Sequence, residues 1–248
     1  IKGKEKVFLS QEKKINNILY INSQNDEKTP IQAVLMSVSK EGFQSSRRNV
    51  IALNRVIVPY DPINGDIAEI SKKHVYRITV RILGIDNMIP LFVLFRALGV
   101  QSDKEILSLI MYDTDPQDLK KRLLHELSSS MKDTGPIFNQ KTAMKFLASH
   151  TKGKEIINVI DILANNLAPN YIKNDEKAFY MGYAVRKLLM TKMGILKETD
   201  RDSYSMKRID LAGSLLLELY RELWAIFQRN VSLKIDTDFK FHFKDYGN

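Results

Sequence analysis

The chain has 248 residues, with 38 Lys and Arg against 29 Asp and Glu, a formal charge of +9, and no cysteine. The missing cysteine excludes a disulfide framework, a zinc–thiolate centre, an iron–sulfur cluster and a cysteine nucleophile within these residues. An apolar share of 44% with a modest net charge argues against disorder, and the length suits one large domain or two smaller ones. The charge bears on partners and not on fold, and it favours nucleic acid or another polyanion. The plainer alternative is a lysine-rich composition that keeps the chain in solution. The longest apolar stretch, Met88–Leu94, is interrupted by Pro90 and soon followed by Arg96, far short of the roughly 20 residues that span a bilayer. No membrane association is expected. The chain opens on Ile1 and has no apolar leader segment, so it reads as a processed product or a piece of a longer protein, placed inside a cell or a virion.

In chain order, the first third reads as strand. Short apolar runs lie at Val7 and Leu9, at Ile15–Ile21 and at Ile31–Val38. Asn49–Val58 is rich in Val and Ile, and Pro59 ends it. Tyr76–Ile82 alternates, with Tyr76, Ile78, Val80 and Ile82 on one face and Arg77, Thr79 and Arg81 on the other. That period means a half-buried strand whose solvated face carries two arginines. From Met88 the period turns helical. Pro90 opens a helix to Leu98 that Gly99 stops. Further helices are expected from Ser102 or Asp103 to Met111, from Pro116 to Leu127, over Asn139–Ala148, over Glu155–Leu167 and over Asp175–Met193. Ser128–Pro136 reads as a polar loop and Gly194–Ser205 as a charged connection. A long helix is expected from Met206 to Arg229, with a stripe of Leu211, Leu215, Leu219, Leu223 and Ile226 and with Trp224 in the core beside it. Val231–Phe243 alternates and suits either an orphan strand or more helix. The fold class is α+β: short N-terminal strands followed by a mainly helical domain, with flanking segments of a second domain.

Catalytic signatures are missing. There is no GxGxxG, Walker or GxSxG pattern. His74, His125, His150 and His242 have no partner at metal-ligand spacing on one helix. Asp113/Asp115 and Asp236/Asp238 read as cap and turn residues. Asp200-Arg201-Asp202, followed by Lys207-Arg208-Ile209-Asp210, is a dense run of alternating charge that an ion-pair network at a helix start would explain.

That run, Asp200-Arg201-Asp202-Ser203-Tyr204-Ser205-Met206-Lys207-Arg208-Ile209-Asp210-Leu211-Ala212-Gly213, resembles the DRDHxxxKRxDLAG segment of the second-largest subunit of multi-subunit DNA-directed RNA polymerases of the eukaryotic and archaeal type. Four more pieces agree in order. Gly3-Lys4-Glu5-Lys6-Val7 with Gln11-Glu12 resembles the family's G-x-E-K-V…Q-E strand. Pro90 with Phe95-Arg96-Ala97-Leu98-Gly99 resembles its P-x-x-x-x-F-R-A-L-G helix. Asp103-Lys104-Glu105-Ile106-Leu107 with Tyr112-Asp113 resembles D-x-E-I-L…Y-D, and Lys177-Ala178-Phe179-Tyr180-Met181-Gly182-Tyr183 resembles K-A-F-F-L-G-Y. The sequence departs from the pattern at Ser203, Ser205 and Ser214, where the family has His, Gly and Pro. The region from Asn22 to Val75 matches poorly, and Asn54–Ile70 reads as an added loop.

The resemblance implies a lobe domain over 20–199, inserted between two protrusion segments, 1–19 and 200–248. Lobe and protrusion would wall one side of the DNA cleft and offer a docking surface to initiation factors. The implied activity is that of a nucleotidyltransferase, with no catalytic residue and no cofactor in this segment, the magnesium aspartates lying in the largest subunit. The implied partners are the other polymerase subunits, initiation factors and duplex DNA, bound weakly and without sequence preference. The candidate nucleic-acid contacts are Lys207 and Arg208 first, Arg201 (expected to be taken up by Asp200 and Asp202), and Arg77 with Arg81 as a second patch. The alternative is a protein-docking module without DNA contact, presented by the helices from Met88 to Leu167. The location would be the nucleus of a eukaryote, or the virion or host cytoplasm for a virus. The Lys-, Asn- and Ile-heavy composition points to a diverged polymerase from an AT-rich genome.

Overall fold

The computed structural model of the chain describes residues 3–24, 26–39, 46–60 and 71–242. The chain divides into two compact units, one made of residues 16–201 and the other of residues 1–15 together with 202–248.

The larger unit begins with a five-stranded antiparallel sheet in the order β2-β3-β4-β5-β6. Its strands are β2 (Ile18–Ser23), β3 (Ile31–Ser37), β4 (Arg47–Tyr60), β5 (Ser71–Arg81) and β6 (Ile89–Pro90). Register places Leu35, Ile51 and Val80 on one face with Leu53, Ile78 and Ala33, and all six are buried in the core. The alternation read for Tyr76–Ile82 is the pattern observed. The expected loop at Asn54–Ile70 is corrected in part: residues 54–60 continue β4 against β5, up to the pair Tyr60↔Ser71. The remainder, 61–70, lies outside the described residues. Strand continues there because Val56 and Ile57 meet Val75 and His74 across the ladder, and β-branched residues fit a pleated surface.

The free edge of β2 is covered. The Ile21 N–H donates to Thr199 Oγ1 at 3.1 Å and the Ser23 N–H to Glu198 Oε2 at 2.9 Å. The Thr199 N–H returns to the Ile21 carbonyl at 3.0 Å. A strand edge satisfied in this way offers less to a pairing chain.

Six helices form the rest of this unit: α1 (Leu91–Leu98), α2 (Asp103–Ile110), α3 (Gln117–Lys132), α4 (Gln140–Ser149), α5 (Ile156–Asn165) and α6 (Asn174–Lys192). Of these, α1, α3 and α6 lie against the strands and α2, α4 and α5 against other helices. Every residue of α1 is buried. Gly99 ends it at φ 111°, a left-handed conformation that side chains other than glycine resist. Asn139 and Thr142 form a reciprocal capping box at the start of α4. α3 runs five residues past the expected end at Leu127, into the segment read as loop. Ser130 is buried there and its hydroxyl accepts the Ile78 N–H at 2.9 Å. A contact distant in sequence thus holds helical a stretch whose polar composition suggests a turn. Asn49 and Ser37 tie the sheet to the α5–α6 connection. Asn49 Nδ2 donates to the Asn166 carbonyl at 2.8 Å and its Oδ1 accepts the Ala168 N–H at 3.0 Å, while Ser37 donates to Asn170 Oδ1.

The smaller unit joins the two ends of the chain. Strand β1 (Gln11–Lys14) pairs antiparallel with β7 (Lys207–Asp210), and α7 (Ala212–His242) follows. The expectation of helix from Met206 is corrected here, since Lys207–Asp210 is strand and helix starts only at Ala212. Residues 231–242 resolve the open choice as helix, and Phe243 lies outside the described residues. No Gly or Pro interrupts the sequence from residue 214 to 242, and Val231, Ile235 and Phe239 sit at i, i+4 spacing, so the helix propagates. Asp236 and Asp238 are therefore within a helix and not in a turn. Trp224 is about half exposed and so are Leu219, Leu223 and Ile226. The expected core stripe is a surface stripe in this chain, along which Trp224 stacks at 6.1 Å with Tyr220 and lies 5.4 Å from Phe227.

Candidate nucleic-acid interface

The β1/β7 ladder sets Lys14 opposite Lys207 and Lys13 opposite Arg208. Like charges directly across a ladder are destabilising. Diagonal carboxylates offset this on both faces. Lys207 Nζ is 2.5 Å from Glu12, and Lys13 Nζ is 2.5 Å from Asp210 and 3.4 Å from Glu218 of α7. These hydrogen-bonded carboxylates hold the amines of Lys207 and Lys13 above the ordinary lysine value. Arg208 and Lys14 are the exposed cations of the ladder. Among the described residues, the one hydrogen bond of the Arg208 side chain is to the neighbouring Lys207 carbonyl, at 3.4 Å. Lys207 and Arg208 are thus brought together in sequence and strand but on opposite faces, with Lys207 already neutralised.

The other candidates lie in the larger unit. Arg201 is exposed at its C-terminal end and already engaged. Arg77 and Arg81 share the face of β5 turned away from the core. Arg77 Nη1 pairs with Asp133, at the end of α3, at 2.6 Å. Arg81 is exposed and lines a shallow polar depression with Arg48. Arg48 lies outside the strand expected from sequence. The signal that finds it is register: Val50 pairs with Arg81, which makes Arg48 its diagonal neighbour.

Several basic residues in or beside the recognised motifs serve the fold. Arg96 is almost fully buried, donating to the Ile137 carbonyl and to Asp103 Oδ1, the latter at 2.6 Å. Two motifs separated in sequence therefore pair with each other. Arg186 grips Asp115 with both nitrogens, at 2.5 and 2.7 Å, and lies 4.3 Å above the Tyr112 ring. That guanidinium, with the Tyr112 N–H, holds the Asp115 carboxyl below its usual range. Asp115 is a turn residue as expected and also half of this ion pair. Among the described residues, buried Lys177 has no carboxylate partner, and its amine donates to the Leu163 and Ala164 carbonyls at 2.6 and 2.7 Å. Burial pushes that amine down to about 8, while the carbonyls at the C-terminus of α5 favour the charged form. Gly182 lets α6 touch α2, since a Cβ there would stand 2.6 Å from the Leu109 carbonyl oxygen.

Among the described residues, no three His, Asp or Glu side chains converge on a metal site. No helix there is long and apolar enough to cross a membrane.

Residues 16–210 match the family model described as RNA polymerase Rpb2, domain 2. The chain belongs to this family. The match covers the whole of the larger unit and ends with β7. Among relatives, the chain is 29% identical over 235 residues to DNA-directed RNA polymerase II subunit RPB2 of Encephalitozoon cuniculi, covering 90% of this chain and 19% of that protein. It is 31% identical over 242 residues to DNA-directed RNA polymerase II subunit 2 of Arabidopsis thaliana, covering 93% and 19%. The archaeal DNA-directed RNA polymerase subunit Rpo2 of Saccharolobus solfataricus is 25% identical over 213 residues, covering 75% and 18%. The chain therefore spans about a fifth of the length of these relatives.

Proposed function

We propose that the chain serves within the second-largest subunit of a DNA-directed RNA polymerase, as lobe and flanking protrusion segments on the wall of the DNA cleft. The observation that carries this reading is the path of the chain. Residues 11–14 pair with 207–210, so the two ends build one unit and residues 16–201 form another between them. An inserted lobe between two protrusion segments has this connectivity. The run from Asp200 to Gly213, the most particular of the motifs, lies across the junction.

In this role the chain contributes position and charge and no catalytic group. The polymerase's nucleotidyl transfer and its magnesium belong to the largest subunit, and the eukaryotic relatives point to the nucleus. Contacts to phosphates are insensitive to base sequence and sensitive to salt. Arg208 is the first candidate for such a contact, ahead of Lys207, which Glu12 neutralises. In the assembled polymerase, Arg208→Gln should shorten the lifetime of the open complex and reduce its log–log salt slope by about 1, as for one lost phosphate contact. An unchanged lifetime and slope would remove Arg208 from the DNA path.

A second reading, docking of an initiation factor, is favoured by a groove of about 450 Å³ between α4 and α5. Met144, Ile156, Ile160 and Ile172 line it, with Gln140, Lys141 and Asn174. Ile160 and Ile172 are well exposed there, as an apolar contact surface requires.

A further inference from the structure

We infer that a ridge of tyrosines along α6 is a docking site for a proline-rich segment in the polyproline II conformation, with an acidic residue at one end. The site lies outside the helices from Met88 to Leu167 and does not rest on the cleft-wall reading. Three rings stand in file. Tyr171, in the α5–α6 connection, lies 5.1 Å from Tyr180, and Tyr180 lies 6.1 Å from Tyr183, measured between ring centroids. Tyr180, Tyr183 and Lys187 follow one another at i, i+3 and i+7, so α6 carries them on one face. All four side chains are partly exposed, while Ala184 and Val185 between them are buried. Tyr171 and Tyr180 also rest against the core, so the file is held in place before a ligand arrives, which lowers the ordering cost of binding.

The hydroxyls of this file call for acceptors. A tyrosine O–H withdrawn from water ordinarily has a hydrogen-bond partner. Among the described residues, the hydroxyls of Tyr180 and Tyr183 have none. Burial holds the Tyr180 phenol well above the usual tyrosine range, so it remains a donor. A polyproline II strand makes no internal hydrogen bonds and turns its carbonyls outward, and proline rings dock on aromatic surfaces. Positions two apart in such a strand are about 6.2 Å apart along its axis, near the spacing of the rings. Charge sets the end. Lys187 Nζ lies 4.9 Å over the Tyr183 ring, and among the described residues it has no carboxylate partner. Glu176 stands one turn before Tyr180 at the other end of the ridge. The ligand is therefore acidic beside Lys187 and not beside Glu176. From Glu176 to Lys187 the helix rises roughly 16 Å, the length of about five polyproline II residues. A single-stranded nucleic acid also stacks on aromatic rings, but it needs a basic groove along its backbone. This ridge carries one cation and one anion, which favours the peptide.

The test is titration of the full 248-residue chain with a fluorescein-labelled peptide of eight prolines ending in two glutamates, read by fluorescence anisotropy. A flexible Gly/Ser peptide with the same two glutamates carries the charge without the conformation, and it should bind about tenfold more weakly or not at all. Y183A should weaken binding of the proline peptide about tenfold. Y183F keeps the ring and loses the donor, and should weaken binding about threefold. K187Q should abolish the advantage of the glutamate-ended peptide over eight prolines alone and leave binding of the latter unchanged. Thermal melting of Y183F and K187Q should match the parent, and these two variants decide the outcome if Y183A does not fold. Equal binding of the proline and Gly/Ser peptides would mean a charge effect and overturn the site. So would binding of the proline peptide that neither Y183F nor K187Q alters, or no binding by the parent at millimolar peptide. A ten-nucleotide thymidine strand that bound more tightly than the proline peptide and was lost in Y183A would assign the ridge to single-stranded nucleic acid and overturn the peptide assignment.

Discussion

Replacing Gly182 by alanine isolates one contact on which the helical layer depends. The added Cβ would stand 2.6 Å from the Leu109 carbonyl oxygen and 2.9 Å from Leu109 Cβ, about 0.8 Å inside the ~3.4 Å at which ordinary contact begins. A backbone carbonyl within α2 cannot rotate away, so α6 and α2 must separate. Overpacking costs about 1–3 kcal/mol, and a backbone obstacle that cannot give way puts this contact in the upper part of that range, at about 2–3 kcal/mol. Removing a glycine from a helix interior returns about 1 kcal/mol through backbone entropy. The steric term dominates, because the obstacle is backbone and not a flexible side-chain end. A net destabilisation of about 1–2 kcal/mol corresponds to a fall in Tm of about 3–6 °C for a unit of this size. Thermal and urea denaturation of the parent and G182A would measure it, with an unchanged m-value confirming that the same transition is compared. A Tm equal to or above the parent's would refute the close approach of α6 to α2.

Two more expectations concern charges in the same layer. Lys177→Met removes the donor to two buried carbonyls and should destabilise the chain by about 1–3 kcal/mol at neutral pH. The folded amine titrates near 8 and the unfolded amine near 10.4, so the unfolded state holds the extra proton between those values and stability rises with pH there. The parent's advantage over K177M should grow from pH 8 to pH 10, and a flat difference would show that burial does not depress the amine. Arg186→Gln leaves Asp115, which is almost buried, without its guanidinium, at a cost of about 3–5 kcal/mol. Because the folded Asp115 carboxyl is held below its usual range, its contribution is present above the unfolded value of about 3.9 and lost as pH falls through the folded one. The urea midpoints of parent and R186Q should therefore converge towards pH 3, and a constant gap would contradict the pairing.

Most of the secondary structure is legible locally. The Tyr76–Ile82 alternation, Pro90 and Gly99 around α1, and Asn139 before α4 are signals carried within a few residues, and the structure has them where the sequence places them. The departures have one physical origin. Lys207–Asp210 reads as the start of a helix until Gln11–Lys14, nearly 200 positions earlier, supplies the partner strand and the Glu12 carboxylate that Lys207 pairs with. Ser128–Lys132 reads as loop until the Ile78 amide supplies a donor to Ser130. In each case the deciding group is distant in the chain, so no window of local sequence contains it.

The candidate interface divides in the same way. The sequence by itself determines the net positive charge, the absence of thiolate chemistry, the α+β class and the motifs that identify the family. It also names the cations, but their order changes in the structure, because rank depends on which carboxylates stand nearby. Only the tertiary structure takes Lys207 to Glu12, Arg77 to Asp133, Arg96 to Asp103 and Arg186 to Asp115. Only strand register sets Arg48 beside Arg81. An ion pair acts over a few ångströms, and folding, not sequence spacing, decides which charges come within that distance.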